Sequence, residues 1–195
     1  MIEVALSGRG KAMPASPIRK LVPYADAAKA RGVKVYHLNI GQPDIETPAA
    51  MIEAYGNLGS RTIEYGPSQG IAPYVKALCA YYGRRGIELE PGNVVVTTGG
   101  SEAIVFALEA IGDAGDQVIV PEPFYTNYNG FAVMAGMEIV PVTSKAENGF
   151  ALPPRAEIEA LIGERTRAIM FSNPGNPTGA VYGREEMETL GSIAV

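Results

Sequence analysis

The chain has 195 residues, 47% hydrophobic and 19% charged, with a formal net charge of -5. That is enough apolar material for one domain, or one and a piece of another, and mild acidity without a basic stripe argues against a dedicated nucleic-acid binder. No apolar run reaches the roughly 18 residues a membrane crossing needs, Met1 to Gly10 lacks the apolar centre of a signal peptide, and Cys79, the single cysteine, can form no intrachain disulfide, so the cytoplasm is the expected location.

Residues 1–48 read as an N-terminal arm interrupted by Pro14, Pro17, Pro23, Pro43 and Pro48. Within it, Tyr24–Arg31 favours helix and Gly32 ends it. Val33–Ile40 alternates as a short strand before Gly41-Gln-Pro-Asp44 breaks it. Further on, Ile71, Tyr74, Val75, Leu78, Cys79 and Tyr82 recur at helical spacing. Pro73 is tolerated only in a first turn, so this helix should start near Ile71. Cys79 falls on its apolar face and is expected to be a buried structural thiol, because no base lies near it in sequence.

From residue 93 the pattern becomes regular. Strands are expected over 93–98, 117–120, 138–142 and 167–172, and helices over 101–111, 125–135, 157–162 and 184–194. The helix over 101–111 is apolar nearly all round and should be buried on several sides. Strands alternating with helices predict an α/β fold, a three-layer sandwich with a mostly parallel sheet covered on both faces. The helical pattern runs to Val195 without a cap or polar tail, and so few strands would leave a sheet edge open. We therefore expect the chain to be part of a longer polypeptide.

Three stations could carry chemistry. In Val94-Val-Val-Thr-Thr-Gly-Gly-Ser-Glu-Ala103, a strand passes through two glycines straight into a helix, whose free N–H groups and dipole favour a phosphate. A plain strand-to-helix turn capped by Ser101 is the other reading. The spacing is neither that of a Walker loop nor that of a dinucleotide fingerprint. Glu102 is expected to turn its carboxylate away from a bound phosphate. Next, Pro121-Glu-Pro-Phe-Tyr-Thr-Asn-Tyr128 ends a strand, where α/β sheets bind ligands. Phe124, Tyr125 or Tyr128 could stack on a flat ring there, or be core or lid. Finally, Phe171-Ser-Asn-Pro-Gly-Asn-Pro-Thr-Gly179 doubles an Asn-Pro pair after a strand, so an asparagine amide could be aimed at a defined point. Upstream, Gly41 follows a strand and Tyr65 sits in a loop before a helix. No metal-ligand set is apparent.

Taken in order, these stations resemble the class I/II aminotransferases, the fold type I enzymes that use pyridoxal 5′-phosphate. Asn173-Pro-Gly-Asn-Pro-Thr-Gly179 and Thr98-Gly-Gly-Ser-Glu-Ala103 are the most specific pieces, supported by Tyr65-Gly-Pro-Ser-Gln-Gly70. Met13–Leu21 and Pro121–Tyr128 are most similar to a bacterial aspartate-aminotransferase-type subgroup. The resemblance implies that residues 1–48 are an arm and part of a small domain, and that 49–195 are the N-terminal part of the cofactor-binding large domain. It implies that Gly100, Ser101 and Glu102 hold the phosphate. Tyr125 would stack on the pyridine ring, and Asn176 would bond its phenolic oxygen. Tyr65 would reach the phosphate of a neighbouring subunit in a homodimer, and Gly41 N–H would meet the substrate carboxylate. It also makes Asn176-Pro177 a candidate cis peptide.

The family's Schiff-base lysine follows a later strand and would lie beyond Val195. Lys11, Lys20, Lys29, Lys34, Lys76 and Lys145 do not match its context. Catalytic residues are thus expected outside this chain, which alone should be inactive. The resemblance makes the whole protein a transaminase acting on an amino acid, aspartate-like by subgroup, and a 2-oxo acid. A lyase or synthase of the same fold, or a non-catalytic ligand-binding module, are the alternatives. Neither a nucleic acid nor a membrane is an expected partner.

Overall fold

A computed structural model describes residues 5–59 and 61–195. In chain order the elements are α1 (Gly8–Ala12), α2 (Val22–Ala30), α3 (Ala49–Gly56), α4 (Ala72–Gly83), α5 (Gly100–Ile111), β1 (Gln117–Glu122), α6 (Asn127–Ala135), β2 (Glu138–Thr143), α7 (Arg155–Glu159), β3 (Thr166–Ile169) and α8 (Arg184–Ile193). They form two compact units: Leu21–Thr98, and Gly99–Val195 joined by the N-terminal segment up to Lys20.

In the unit Leu21–Thr98, α2 closes as its sequence suggests. Arg31 N–H donates to Ala28 carbonyl oxygen (3.1 Å) and Gly32 N–H to Lys29 carbonyl oxygen (2.9 Å), and Gly32 takes φ 78°, a left-handed conformation that suits glycine. α4 starts at Ala72 with Pro73 in its first turn. Its apolar face is only partly covered: Val75 is buried, Tyr74 and Tyr82 are exposed, and Cys79 is partly exposed rather than buried.

Two strand expectations fail in this unit. Neither Val33–Ile40 nor Asn93–Thr98 is a strand. β-branched residues favour extended backbone, but a ladder needs a neighbour to satisfy its N–H and C=O groups. Among the described residues, a loop does part of that work for the second segment. The Gln69 amide donates to the carbonyls of Pro91 (3.0 Å) and Val94 (2.8 Å), and Val96 N–H donates to Gln69 carbonyl oxygen (2.9 Å).

The other unit is built on a three-stranded parallel sheet in the order β2-β1-β3. The run Val118-Ile119-Val120 occupies the central strand and is fully buried, as expected for a parallel strand covered on both faces. Val118 and Val120 pack against Val105 and Leu108 of α5 and Tyr128 and Phe131 of α6. Ile119 packs on the opposite face with Val142, Ile158 of α7 and Leu190 of α8. Helices α5 and α6, the sheet, and helices α7 and α8 are the three layers. α5 departs from expectation: only Val105 and Leu108 are buried, while Phe106 and Ile111 are exposed. Its inner stripe meets the sheet and α6, and nothing among the described residues covers its outer face.

Asp116 pins the entry to β1. Its carboxylate accepts from Asp113 N–H (3.0 Å) and from Arg167 Nε (2.8 Å). The Asp113 N–H, with Arg167 adding to it, holds the carboxyl below the usual carboxylate range although burial acts the other way. Among the described residues, no helix is long and apolar enough to cross a membrane.

Candidate functional site

Parallel strands finish on one side, so the loops after β1, β2 and β3 share that end of the sheet. Pro121, Phe124, Ser144, Ser172, Asn176 and Tyr182, drawn from all three, line a cavity of about 20 Å³. α5 leads into β1 through the short connection 112–116, which turns the chain back. The first turn of α5 therefore lies at this same end, the crevice where α/β sheets take ligands.

The loop Asn173–Gly179 is locked by its own hydrogen bonds. Gly175 N–H donates to Ala180 carbonyl oxygen (2.7 Å), and Gly179 N–H donates to Gly175 carbonyl oxygen (2.8 Å). Asn173 clamps Tyr182 from both sides: its Nδ2 donates to Tyr182 carbonyl oxygen (3.0 Å), and its Oδ1 accepts from Tyr182 N–H (3.0 Å). Asn176 N–H donates to Ser172 Oγ (3.1 Å). The Asn176 side chain is exposed and has no hydrogen-bond partner among the described residues. The two asparagines thus divide the labour: one amide holds the loop and the other faces outward unspent. Asn176-Pro177 is cis, as the resemblance implied, and so are Asn173-Pro174 and Glu122-Pro123.

The aromatic station divides too. Tyr128 is buried core, and Phe124 stacks on it at 6.0 Å with an 18° interplanar angle. Tyr125 is half-buried, edge-on to Tyr128 at 5.5 Å, with its hydroxyl accepting from Asn127 Nδ2 (2.7 Å). That bond and the core beneath fix the Tyr125 ring.

At the first turn of α5, Gly99 rather than Ser101 is the cap, and no side chain caps the helix. Ala103 N–H closes the first turn on Gly99 carbonyl oxygen (3.2 Å). Among the described residues, the N–H groups of Gly100 and Ser101 and the Ser101 hydroxyl find no acceptor, and Glu102 is half-buried beside them. A Cβ placed on Gly99 or Gly100 would meet no atom within 4 Å, so the space over the turn is open. These donors sit at the positive end of a helix dipole, and Ile104 packs on the same core cluster as Tyr125. Uncommitted N–H donors, a fixed ring and an outward amide make a donor set that fits a flat, phosphorylated aromatic cofactor.

Gly41 and Tyr65 belong to the other unit, where both are exposed. Reading the sequence missed that Asn173 clamps the loop and that Ser144 is buried beside the cavity. The doubled Asn-Pro pair signalled the first without saying which asparagine does which task. Nothing in the sequence marks Ser144, which directly follows β2 in irregular chain.

The family profile described as aminotransferase class I and II matches residues 33–195. The aspartate/prephenate aminotransferase of Thermus thermophilus is 35% identical over 192 residues, which are 97% of this chain and 50% of that enzyme. Among solved structures, a single mutant of Thermus thermophilus aspartate aminotransferase matches with a TM-score of 0.91 and 34% identity, over 98% of this chain and 50% of that one. An alanine aminotransferase from Pyrococcus furiosus matches with a TM-score of 0.90 and 33% identity, over 97% of this chain and 49% of that one. The chain spans about half the length of these relatives.

Proposed function

The chain belongs to the class I and II aminotransferases, and from that premise we propose that the whole protein moves an amino group from an amino acid to a 2-oxo acid with pyridoxal 5′-phosphate as cofactor. The observation that carries this reading is an uncapped α5 N-terminus at the same end of the sheet as an outward, unpartnered Asn176 amide. When bound, the cofactor supplies an electron sink for the bonds at the amino acid's α-carbon.

The chain's own part is binding and orientation. Gly100 N–H, Ser101 N–H and the Ser101 hydroxyl donate to the phosphate oxygens, at the end of the helix whose dipole attracts anions. Glu102 belongs to this first turn. The Tyr125 ring, held by its contact with Tyr128 and by the Asn127 bond to its hydroxyl, would stack on the pyridine ring. Asn176 Nδ2 donates to the phenolic oxygen and so favours its ionised form. Gly41 N–H receives the substrate carboxylate. Tyr65 reaches across to the phosphate of a second subunit, which makes the working unit a homodimer in the cytoplasm. The lysine that tethers the cofactor, and the residues that carry the proton transfer, come from the remainder of the protein. In domain terms, 1–48 serve as arm and part of a small domain and 49–195 as the first part of the cofactor-binding domain.

Aspartate is the amino donor we assign, because two curated relatives matched over 97% of this chain are named for it. The whole protein should retain the cofactor through gel filtration with a visible absorption band, and should form oxaloacetate from aspartate and 2-oxoglutarate. Asn176→Ala should shift the pH at which that band changes upward. Retention of cofactor without amino transfer to any oxo acid would instead favour a lyase or synthase. Loss of the band on filtration would end the cofactor reading altogether.

A further inference from the structure

Ser172 is the first polar side chain after β3, and the chain leading to it is anchored. Met170 N–H donates to Ile119 carbonyl oxygen (2.9 Å), which carries the pairing with β1 one residue past Ile169. Met170 packs on the core cluster of α5 and α6, and Phe171 on the cluster of α7 and α8. Ser172, next in line, is half-buried, and its Oγ accepts a hydrogen bond from Asn176 N–H (3.1 Å).

The other donors of this turn are absent or spent. Pro174 and Pro177 have no N–H, and Gly175 N–H donates to Ala180 carbonyl oxygen (2.7 Å). The Asn173 side chain is spent on Tyr182 through both of its polar atoms. Asn173 and Gly175 therefore close the base of the loop, while Ser172 holds the backbone of Asn176 itself. An asparagine amide lies only two torsions beyond its Cα, and those torsions occupy a few preferred wells, so whatever fixes the backbone limits where the amide can reach. A binding group is placed accurately when a supporting hydrogen bond ties it to a rigid element, and here that element is the end of a central parallel ladder.

We propose that Ser172 is a positioning residue for Asn176: its Oγ ties the Asn176 backbone to the anchored end of β3 and so sets where the Asn176 amide is presented. The positioning role rests on the cofactor reading above; the hydrogen bond does not.

The test uses the whole protein as wild type, Ser172→Ala, Ser172→Thr and Asn176→Ala. In the cofactor-free protein, amide hydrogen exchange followed by NMR should show Asn176 N–H protected. Ser172→Ala should lose that protection while Gly175 and Tyr182 N–H keep theirs, and Ser172→Thr, which keeps the hydroxyl, should restore it. In titrations with pyridoxal 5′-phosphate, Asn176→Ala should weaken binding about three- to tenfold, the worth of one hydrogen bond, and raise the pH midpoint of the cofactor's visible absorption. Ser172→Ala should show part of both effects and Ser172→Thr neither. A folded Ser172→Ala that matches wild type in affinity and midpoint overturns the positioning role. So does a Ser172→Thr as defective as Ser172→Ala, since packing and not the hydroxyl would then be responsible. Protection lost at Gly175 and Tyr182 as well makes Ser172 a general prop of the loop and overturns the role too. An Asn176 N–H that exchanges freely in wild type removes the bond on which the role stands. If wild type binds no cofactor, the functional reading has failed and the positioning role goes with it, while the exchange data still judge the bond.

Discussion

Gly175 is the tightest point of the Asn176 loop, and Gly175→Ala is the most direct test of how that loop is held. Its backbone is not in the left-handed region, so any cost comes from the added methyl. That Cβ would lie 2.7 Å from Thr178 Oγ1, inside the 3.4–4 Å of ordinary contact. Thr178 cannot simply swing away: its χ1 is stiff, and its Oγ1 accepts from Ala180 N–H (3.2 Å). Moving it forfeits that hydrogen bond, worth about 1 kcal/mol, on top of about 1–3 kcal/mol for overpacking. The expected destabilisation is therefore about 2–4 kcal/mol, measured as a fall in denaturant midpoint at constant slope. Cofactor affinity should fall as well, because the same shift displaces Asn176. Gly175→Ala/Thr178→Ala should recover the overpacking part and leave about 1 kcal/mol, the missing bond. A Gly175→Ala protein within about 0.5 kcal/mol of wild type, the usual range for unconstrained surface sites, would refute this account of the loop.

Two further outcomes follow from the core and from the ion pair. Ile119→Ala, in a central strand where the side chain is fully buried, should cost about 2–5 kcal/mol in equilibrium unfolding; a loss below about 1 kcal/mol would mean that the β1 core collapses around the cavity. Asp116 has its folded pKa lowered chiefly by Asp113 N–H, so its contribution is present above the unfolded value of about 3.9 and lost as pH falls through the lowered folded value. Asp116→Asn should therefore melt below wild type at pH 7 and approach it under acid; a gap that stays constant down to pH 2 would contradict that assignment.

Much of this fold was legible along the chain because its signals are local. Val118-Ile119-Val120 reads as a buried strand in any context, Pro73 marks a helix start, and Gly32 marks a helix end. The candidate site was legible as well wherever backbone chemistry is unusual, as in two glycines before a helix or two Asn-Pro pairs within one loop. Illegible features depend on partners remote in sequence. Val94–Thr98 has the composition of a strand and is not one, since composition supplies extended backbone but not a neighbour to bond with. α5 looked buried all round, yet its outer face is bare because the number of layers packed on a helix is not written in the helix.

By itself the sequence determined the alternation of strands and helices, the family, and which residue types stand at the ends of the strands. Only the tertiary structure decided which asparagine of the doubled pair is spent on the loop and which is left exposed. It also decided that Gly99 rather than Ser101 is the cap of α5, and that Ser144 is buried against a cavity. Each of those outcomes turns on where a hydrogen-bond partner lies in space, and spacing along a chain carries no such distance.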